Sequence, residues 1–267
     1  MHKILAIFLI AFANSVWAND FEDGLAAHEQ GNYAVAVKKF KQAANAGDTF
    51  AQVYLGSIYE YGDGVEKNIT KAVKWYKLAA DNGVFLAQYN LGMIYLNGNG
   101  GVAQRYSEAV KWFKLAAAQG HTSSQTNLGV MYEKGLGVAQ NYAEAITFYK
   151  LAAAQGQSIA QVNLGSLYAR GQGVVQNYAE AVKLYKLAAL QGDVKGQTLL
   201  GLFYQIGNGV DQNYIKAHSW LNIAAANGNA EAIGARDNLA KVMTSKQIAE
   251  AQLLASNCQT SNYKDCD

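Results

Sequence analysis

Ser261 and Lys264 stand in a Ser-x-x-Lys arrangement, the spacing with which a lysine amine can activate a serine nucleophile for acyl-enzyme chemistry. The pair lies in a short tail between Cys258 and Cys266, and no Lys-Thr-Gly accompanies it, so it reads as a chance match. His28, His121 and His218 fall in different segments without metal-ligand spacing. His218 fills a slot that Val73 and Val110 fill elsewhere, so a packing role is expected of it. Glu108, Glu144 and Glu180 recur three residues after a helix start, where a carboxylate serves the helix N-terminus. Lys71, Lys74, Lys111, Lys114, Lys183 and Lys186 recur as a solvated outer face. G-x-x-x-x-G-K-S/T, H-E-x-x-H, G-x-S-x-G and C-x-x-C patterns are all absent, and the Gly-x-Gly turns lack the third glycine of a dinucleotide loop. The expectation is a protein without catalytic residues, cofactor or metal.

The 22 Lys and Arg against 20 Asp and Glu leave a formal charge of +2, which argues against nucleic acid as partner. Hydrophobic residues make up 51% and charged residues 16%, the composition of a folded chain. Met1 to Ala18, MHKILAIFLIAFANSVWA, has the short basic start, apolar run and small-residue cleavage site of a signal peptide, with a mature chain expected to begin at Asn19. No cysteine near the site marks a lipid anchor, and no later segment is long and apolar enough to insert in a membrane. The expected location is therefore periplasmic or secreted, from a bacterial source. Export makes a disulfide between Cys258 and Cys266 the favoured state of that pair. Asn68-Ile69-Thr70 is a sequon whose meaning depends on the source.

The elements that must position any site come from repetition. Leu-Gly recurs at 55–56, 91–92, 128–129, 164–165 and 200–201, each followed by Tyr59, Tyr95, Tyr132, Tyr168 or Tyr204. The period is 36 residues, with one 37-residue step placed in the loop NGNGGV at 97–102. Such a unit is two amphipathic helices around a Gly-x-Gly-Val turn, and one unit cannot bury its apolar face alone. In the unit at 124–156, Ser124, Leu128 and Tyr132 form one stripe, and Ala145, Phe148, Tyr149 and Ala152 form another. Gly129 permits close approach of the partner helix, Gly135 ends the first helix, and Asn141 with Glu144 reads as a capping box. Residues 21–47 form a first hairpin turning at Gly31-Asn32, and 229–255 read as capping helices ahead of a tail at 256–267.

The Leu-Gly-x-x-Tyr, Gly-x-Gly-Val, aromatic pair and Ala-Ala-containing unit resembles the Sel1-like repeat, a tetratricopeptide-type helical repeat. The resemblance implies an all-α, right-handed α/α superhelical solenoid of about six helix-turn-helix repeats plus a C-terminal capping hairpin. The five full repeats are placed at about 49–84, 85–121, 122–157, 158–193 and 194–229, after an N-terminal repeat at 19–48. It also implies that first helices line a concave surface. The inward positions would then be Val53, Ser57 and Glu60; Tyr89, Met93 and Leu96; Thr126, Val130 and Glu133; Val162, Ser166 and Arg170; and Thr198, Leu202 and Gln205. These vary between copies while packing slots repeat, and their mildly apolar character fits a protein or peptide partner. The family reading is a non-catalytic adaptor or regulator. One alternative is a β-lactam-binding, β-lactamase-like or peptidoglycan-related enzyme, as the resemblance to cysteine-rich relatives implies, although these repeats carry no cysteine pair. A secreted virulence or host-interaction factor is the other.

Overall fold

The computed structural model describes residues 16–98, 100–264 and 266, with side chains from Asp20 onward. Residues 1–15 of the expected signal peptide Met1–Ala18 lie outside the described residues. Among those described, every element is a helix. They are α1 (Val16–Glu29), α2 (Tyr33–Asn45), α3 (Thr49–Tyr61), α4 (Ile69–Asp81), α5 (Phe85–Asn97), α6 (Tyr106–Ala118) and α7 (Thr122–Lys134). There follow α8 (Tyr142–Ala154), α9 (Ser158–Arg170), α10 (Tyr178–Ala189), α11 (Val194–Ile206), α12 (Tyr214–Ala226), α13 (Ala230–Ala240) and α14 (Ser245–Thr260).

Each hairpin turn is made by local chemistry. At Gly135 the chain takes φ 70°, a left-handed conformation open to glycine at little strain, and the Gly135 amide bonds the Met131 carbonyl to end α7. Six residues later Asn141 begins α8, its side chain accepting from the Ala143 and Glu144 amides. The Asn141 amide meanwhile donates to the Tyr132 carbonyl at 2.9 Å, and Gln140 Nε2 donates to the Glu133 carbonyl at 2.8 Å. Asn68, Asn177 and Asn213 cap α4, α10 and α12 in the same way. Among the described residues the reciprocal capping box is closed at Thr244 and Gln247, which open α14.

The Leu-Gly pair explains how the two helices of a hairpin meet. A Cβ built on Gly129 would lie 2.4 Å from Tyr149 Cε1, so the Tyr149 ring occupies the space a side chain would take. Gly56 faces Tyr76, Gly92 faces Phe113, Gly165 faces Tyr185 and Gly201 faces Leu221 in the same manner. The first hairpin repeats the device with Gly24 against Phe40. The neighbouring leucines Leu55, Leu91, Leu128 and Leu200 are fully buried, as are Phe40, Tyr149 and Ala152. Close packing of this kind is what holds each pair together.

A second repeated device joins hairpin to hairpin. Gln52, Gln88, Gln125, Gln161 and Gln197 stand four residues before those glycines and are buried. Each donates from Nε2 to a carbonyl in the last turn of the preceding helix, as Gln161 does to Ala153 at 3.3 Å and Gln197 to Ala189 at 3.3 Å. A helix C-terminus leaves such carbonyls without intrahelical donors, and the glutamines supply them.

The helices fall into two compact units, Met1–Ala116 and Ala117–Asp267. In the first, α1 packs on α2, α2 on α3, α3 on α4 and α4 on α5. Its core runs through Phe40, Leu55, Tyr76 and Leu91. In the second, α7 to α12 pack in sequence, and α13 and α14 both close on α12. Here first helices also touch each other, α7 with α9 and α9 with α11. The first helices α7, α9 and α11 thus meet along one side of this unit, its inner side.

The C-terminal cap differs from the sequence expectation in one boundary. Helix α14 runs to Thr260, five residues beyond the expected end at 255, because Ala251, Ala255 and Cys258 continue one buried stripe against the cap. Cys258 therefore sits on the helix itself, and a disulfide ties Cys266 to it.

Candidate functional site

The inner side of the second unit gathers the polar groups that no packing rule requires. Glu133, at the end of α7, uses both carboxylate oxygens. Tyr149 donates its hydroxyl to Oε2 at 2.8 Å, and Arg170 donates from Nη2 to Oε1 at 3.1 Å. Tyr149 is the second-helix aromatic held against Gly129, so the ring is core and its buried hydroxyl meets the half-buried Glu133. Burial, followed by the hydrogen bond to Glu133 and the charge of that carboxylate, pushes the Tyr149 phenol well above its ordinary pKa. It therefore acts as a donor. Arg170 ends α9 and ties one repeat to the next through this bond.

Beside the triad lies a pocket of about 190 Å³ lined by Val130, Glu133, Lys134, Tyr149, Asn163, Ser166, Arg170 and Lys195. Ser166 donates to the Val162 carbonyl at 2.9 Å and accepts from the Tyr185 hydroxyl at 3.3 Å. Lys134 and Lys195 are exposed at the rim. The arrangement can recognise charge and hydrogen-bonding groups.

The expected inward positions divide into three kinds. Thr126, Val162 and Thr198 are buried and cannot meet a partner, because they face the neighbouring helices. Thr126 donates to the Thr122 carbonyl at 3.1 Å and Thr198 to the Val194 carbonyl at 2.8 Å, so both hydroxyls are spent on the backbone. Val130, Ser166, Leu202 and Gln205 are half-buried on the inner side. Arg170 is exposed and lies one residue past the slot of Glu133, where Ala169 stands. In the first unit Val53, Ser57, Glu60, Tyr89, Met93 and Leu96 are half-buried. Glu60 accepts from the Tyr76 hydroxyl at 2.8 Å, as Glu133 does from Tyr149, and Tyr89 packs on Phe113 with ring centroids 6.0 Å apart. The two glutamates are thus partners of buried tyrosines as well as surface groups.

Tyr149, Asn163, Lys134 and Lys195 were missed as pocket residues in the sequence. The signal was present in the second aromatic slot, which holds Tyr76, Phe113, Tyr149, Tyr185 and Leu221. Glu60 and Glu133 stand opposite Tyr76 and Tyr149, whereas Leu96 stands opposite Phe113. Of the groups expected to lack catalytic roles, His218 is buried in α12 and His121 Nδ1 lies 2.9 Å from Ser124 Oγ. Lys264 meets Ser261 through its backbone amide at 3.2 Å, while Ser261 donates to the Cys258 carbonyl at 3.0 Å.

Stacked hairpins with a glycine packed under a large side chain inside each repeat and a glutamine bond between them define an all-α helical-repeat solenoid. The Sel1 repeat model matches residues 49–84, 86–121, 122–157, 158–193 and 194–229, and the chain belongs to the Sel1 repeat family. Repeats of this family generally mediate protein–protein interaction. No curated protein matches the chain significantly. Among solved structures it is similar to c5321, a protective antigen present in uropathogenic Escherichia coli strains and displaying an SLR fold. That match has 35% identity and a TM-score of 0.81, over 92% of this chain and 54% of that one. The chain thus spans about half the length of that relative. It is also similar to a Sel1 repeat protein from Oxalobacter formigenes, at 30% identity and TM-score 0.78, covering 89% of this chain and 99% of that one.

Proposed function

We propose that this is an exported, non-catalytic adaptor or regulator that holds a segment of a partner protein against its first-helix face. The observation that carries the reading is the contrast along α7, α9 and α11. Leu, Gly, Gln and Tyr recur at the packing slots, while Val130, Ser166 and Leu202 differ at one inner slot and Glu133, Ala169 and Gln205 differ at another. A face that is half-buried, mixed in polarity and adjacent to a polar pocket suits a peptide with alternating contacts. The family membership supports the same class of role. Export rests on the Met1 to Ala18 leader, and the bridged Cys258 and Cys266 are consistent with an oxidising destination.

A role in host contact shares these physics and draws support from the description of the similar Escherichia coli chain as a protective antigen. The two readings differ in destination, and cell fractionation separates them. A photo-crosslinking amino acid placed at Val130 or Ser166 on the inner side, with Lys150 on the outer side as control, tests the face itself. Adducts with a protein at the inner positions and none at Lys150 are expected; adducts at Lys150 alone would sink the proposal.

A further inference from the structure

The pocket between α7, α9 and α11 has a charge imbalance that the fold does not use. Glu133 is its one carboxylate, and both oxygens are taken, by Tyr149 at 2.8 Å and Arg170 at 3.1 Å. Three cations, Lys134, Arg170 and Lys195, line the same pocket. Arg170 spends one donor on Glu133, and a guanidinium carries five. Lys134 and Lys195 form no ion pair among the described residues, and both are exposed. The pocket thus offers unspent donors and positive charge, with its own acid already neutralised.

Position matters as well as charge. Glu133 fixes the guanidinium of Arg170 on one side, so the remaining donors are oriented before any ligand arrives. Asn163 and Ser166 add polar groups on the floor, and Val130 adds an apolar wall beside them. A carboxylate carried on a short aliphatic stem matches that combination, with oxygens toward Arg170 and Lys195 and methylenes against Val130. The volume of about 190 Å³ accepts such a group. The first unit has the same Tyr–Glu pair at Tyr76 and Glu60, but Asn97 stands in the slot that Arg170 fills in α9, so no equivalent cation is supplied.

We infer that this pocket is the anchor of the binding face and takes a carboxylate of the bound segment, either an acidic side chain or a chain terminus. The inference rests on the reading of the first-helix face as the binding surface and names what that surface selects.

The test is titration of the isotope-labelled chain, followed by amide chemical shifts, with four probe peptides and inorganic phosphate. Acetyl-Ala-Ala-Glu-Ala-Ala-amide and its Gln counterpart ask about a side-chain carboxylate. Penta-alanine with a free terminus and its amide ask about a chain terminus. Saturable shifts at Asn163, Ser166 and Arg170 are expected with one acidic member of a pair, weakening at least about tenfold in its neutral counterpart and in Arg170→Gln. Lys195→Gln weakens binding less, and added salt weakens it further. Both variants replace exposed side chains, and circular dichroism verifies their fold. Equal shifts from neutral and acidic probes, shifts with phosphate and neither acidic peptide, or binding unaltered in Arg170→Gln would each overturn the inference. If neutral peptides still bind at Val130 and Ser166, the carboxylate anchor falls and the binding face stands. If no peptide binds and crosslinks form only from Lys150, both fall.

Discussion

Asn227→Gln should stabilise the second unit, and the reason lies in a ladder of amides between repeats. Gln155 Nε2 donates to Gln125 Oε1 at 2.8 Å, and Gln191 Nε2 donates to Gln161 Oε1 at 2.8 Å. Each link completes a buried glutamine whose Nε2 is committed to the preceding helix. The corresponding residue one repeat later is Asn227, shorter by one methylene. Its Nδ2 stays on the Ile223 carbonyl at 3.1 Å, and Gln197 Oε1 is left buried without a hydrogen-bond partner. Asn82 and Gln52 Oε1 repeat the defect in the first unit, Asn82 Nδ2 remaining on the Leu78 carbonyl at 2.9 Å. The backbone is ready for the longer side chain, since Asn227 has φ −89° and ψ 14° where Gln155 has φ −87° and ψ 9°. Leaving a buried acceptor unmade costs about 1–3 kcal/mol. Ordering the longer side chain takes back up to roughly 1 kcal/mol. A net gain of about 1 kcal/mol raises Tm by about 2–4 °C in a chain of this size. Thermal denaturation followed by circular dichroism reads this directly. The reverse change, Gln191→Asn, orphans Gln161 Oε1 and should lower Tm by a similar amount. An Asn227→Gln variant with Tm unchanged or lowered, beside a destabilised Gln191→Asn, would refute the ladder argument.

Three other substitutions separate the roles of helical glycines and of a half-buried carboxylate. Gly129→Ala should destabilise by about 1–3 kcal/mol through overpacking against the Tyr149 ring, whereas Gly234→Ala, with nothing within 4 Å of the added Cβ, should stabilise α13 by about 0.5–1 kcal/mol. Chemical denaturation that ranks the two variants in the opposite order would contradict the glycine-aromatic contact. Burial raises the Glu60 carboxyl above its ordinary pKa, against the opposing Tyr76 hydrogen bond and the charge of Lys67. The native state then holds that proton more tightly than the unfolded chain. Stability from this group is complete below the unfolded value of about 4.3 and is lost as pH rises through the higher folded value. Glu60→Gln keeps an acceptor for Tyr76 and removes the titration. Its Tm advantage over the parent should be larger at pH 7 than at pH 4, and an advantage that grows toward pH 4 would refute the assignment.

Much of this architecture was legible in the text of the chain. Leu-Gly-x-x-Tyr and Gly-x-Gly-Val repeat because the close approach of a ring to a glycine and the left-handed turn at Gly135 each admit few residue types. A constraint that local and that strict is written into every copy. The buried glutamine at 52, 88, 125, 161 and 197 was equally regular in the sequence. Its meaning was not, because the carbonyl it serves belongs to the previous hairpin and an exposed amide would look the same.

The site followed the opposite rule. The sequence by itself determined the helices, their caps, the turns and the pairing within each hairpin, since these depend on neighbours a few residues apart or on a strictly repeated contact. Only the tertiary structure decided that Thr126, Val162 and Thr198 face inward to packing rather than outward to a partner. The tertiary structure likewise brought Arg170 and Lys195 to Glu133 across separate helices. Side chains from α7, α9 and α11 share one pocket only after stacking fixes the rotation of each helix. That rotation is set by burial on all sides at once, which no single repeat contains.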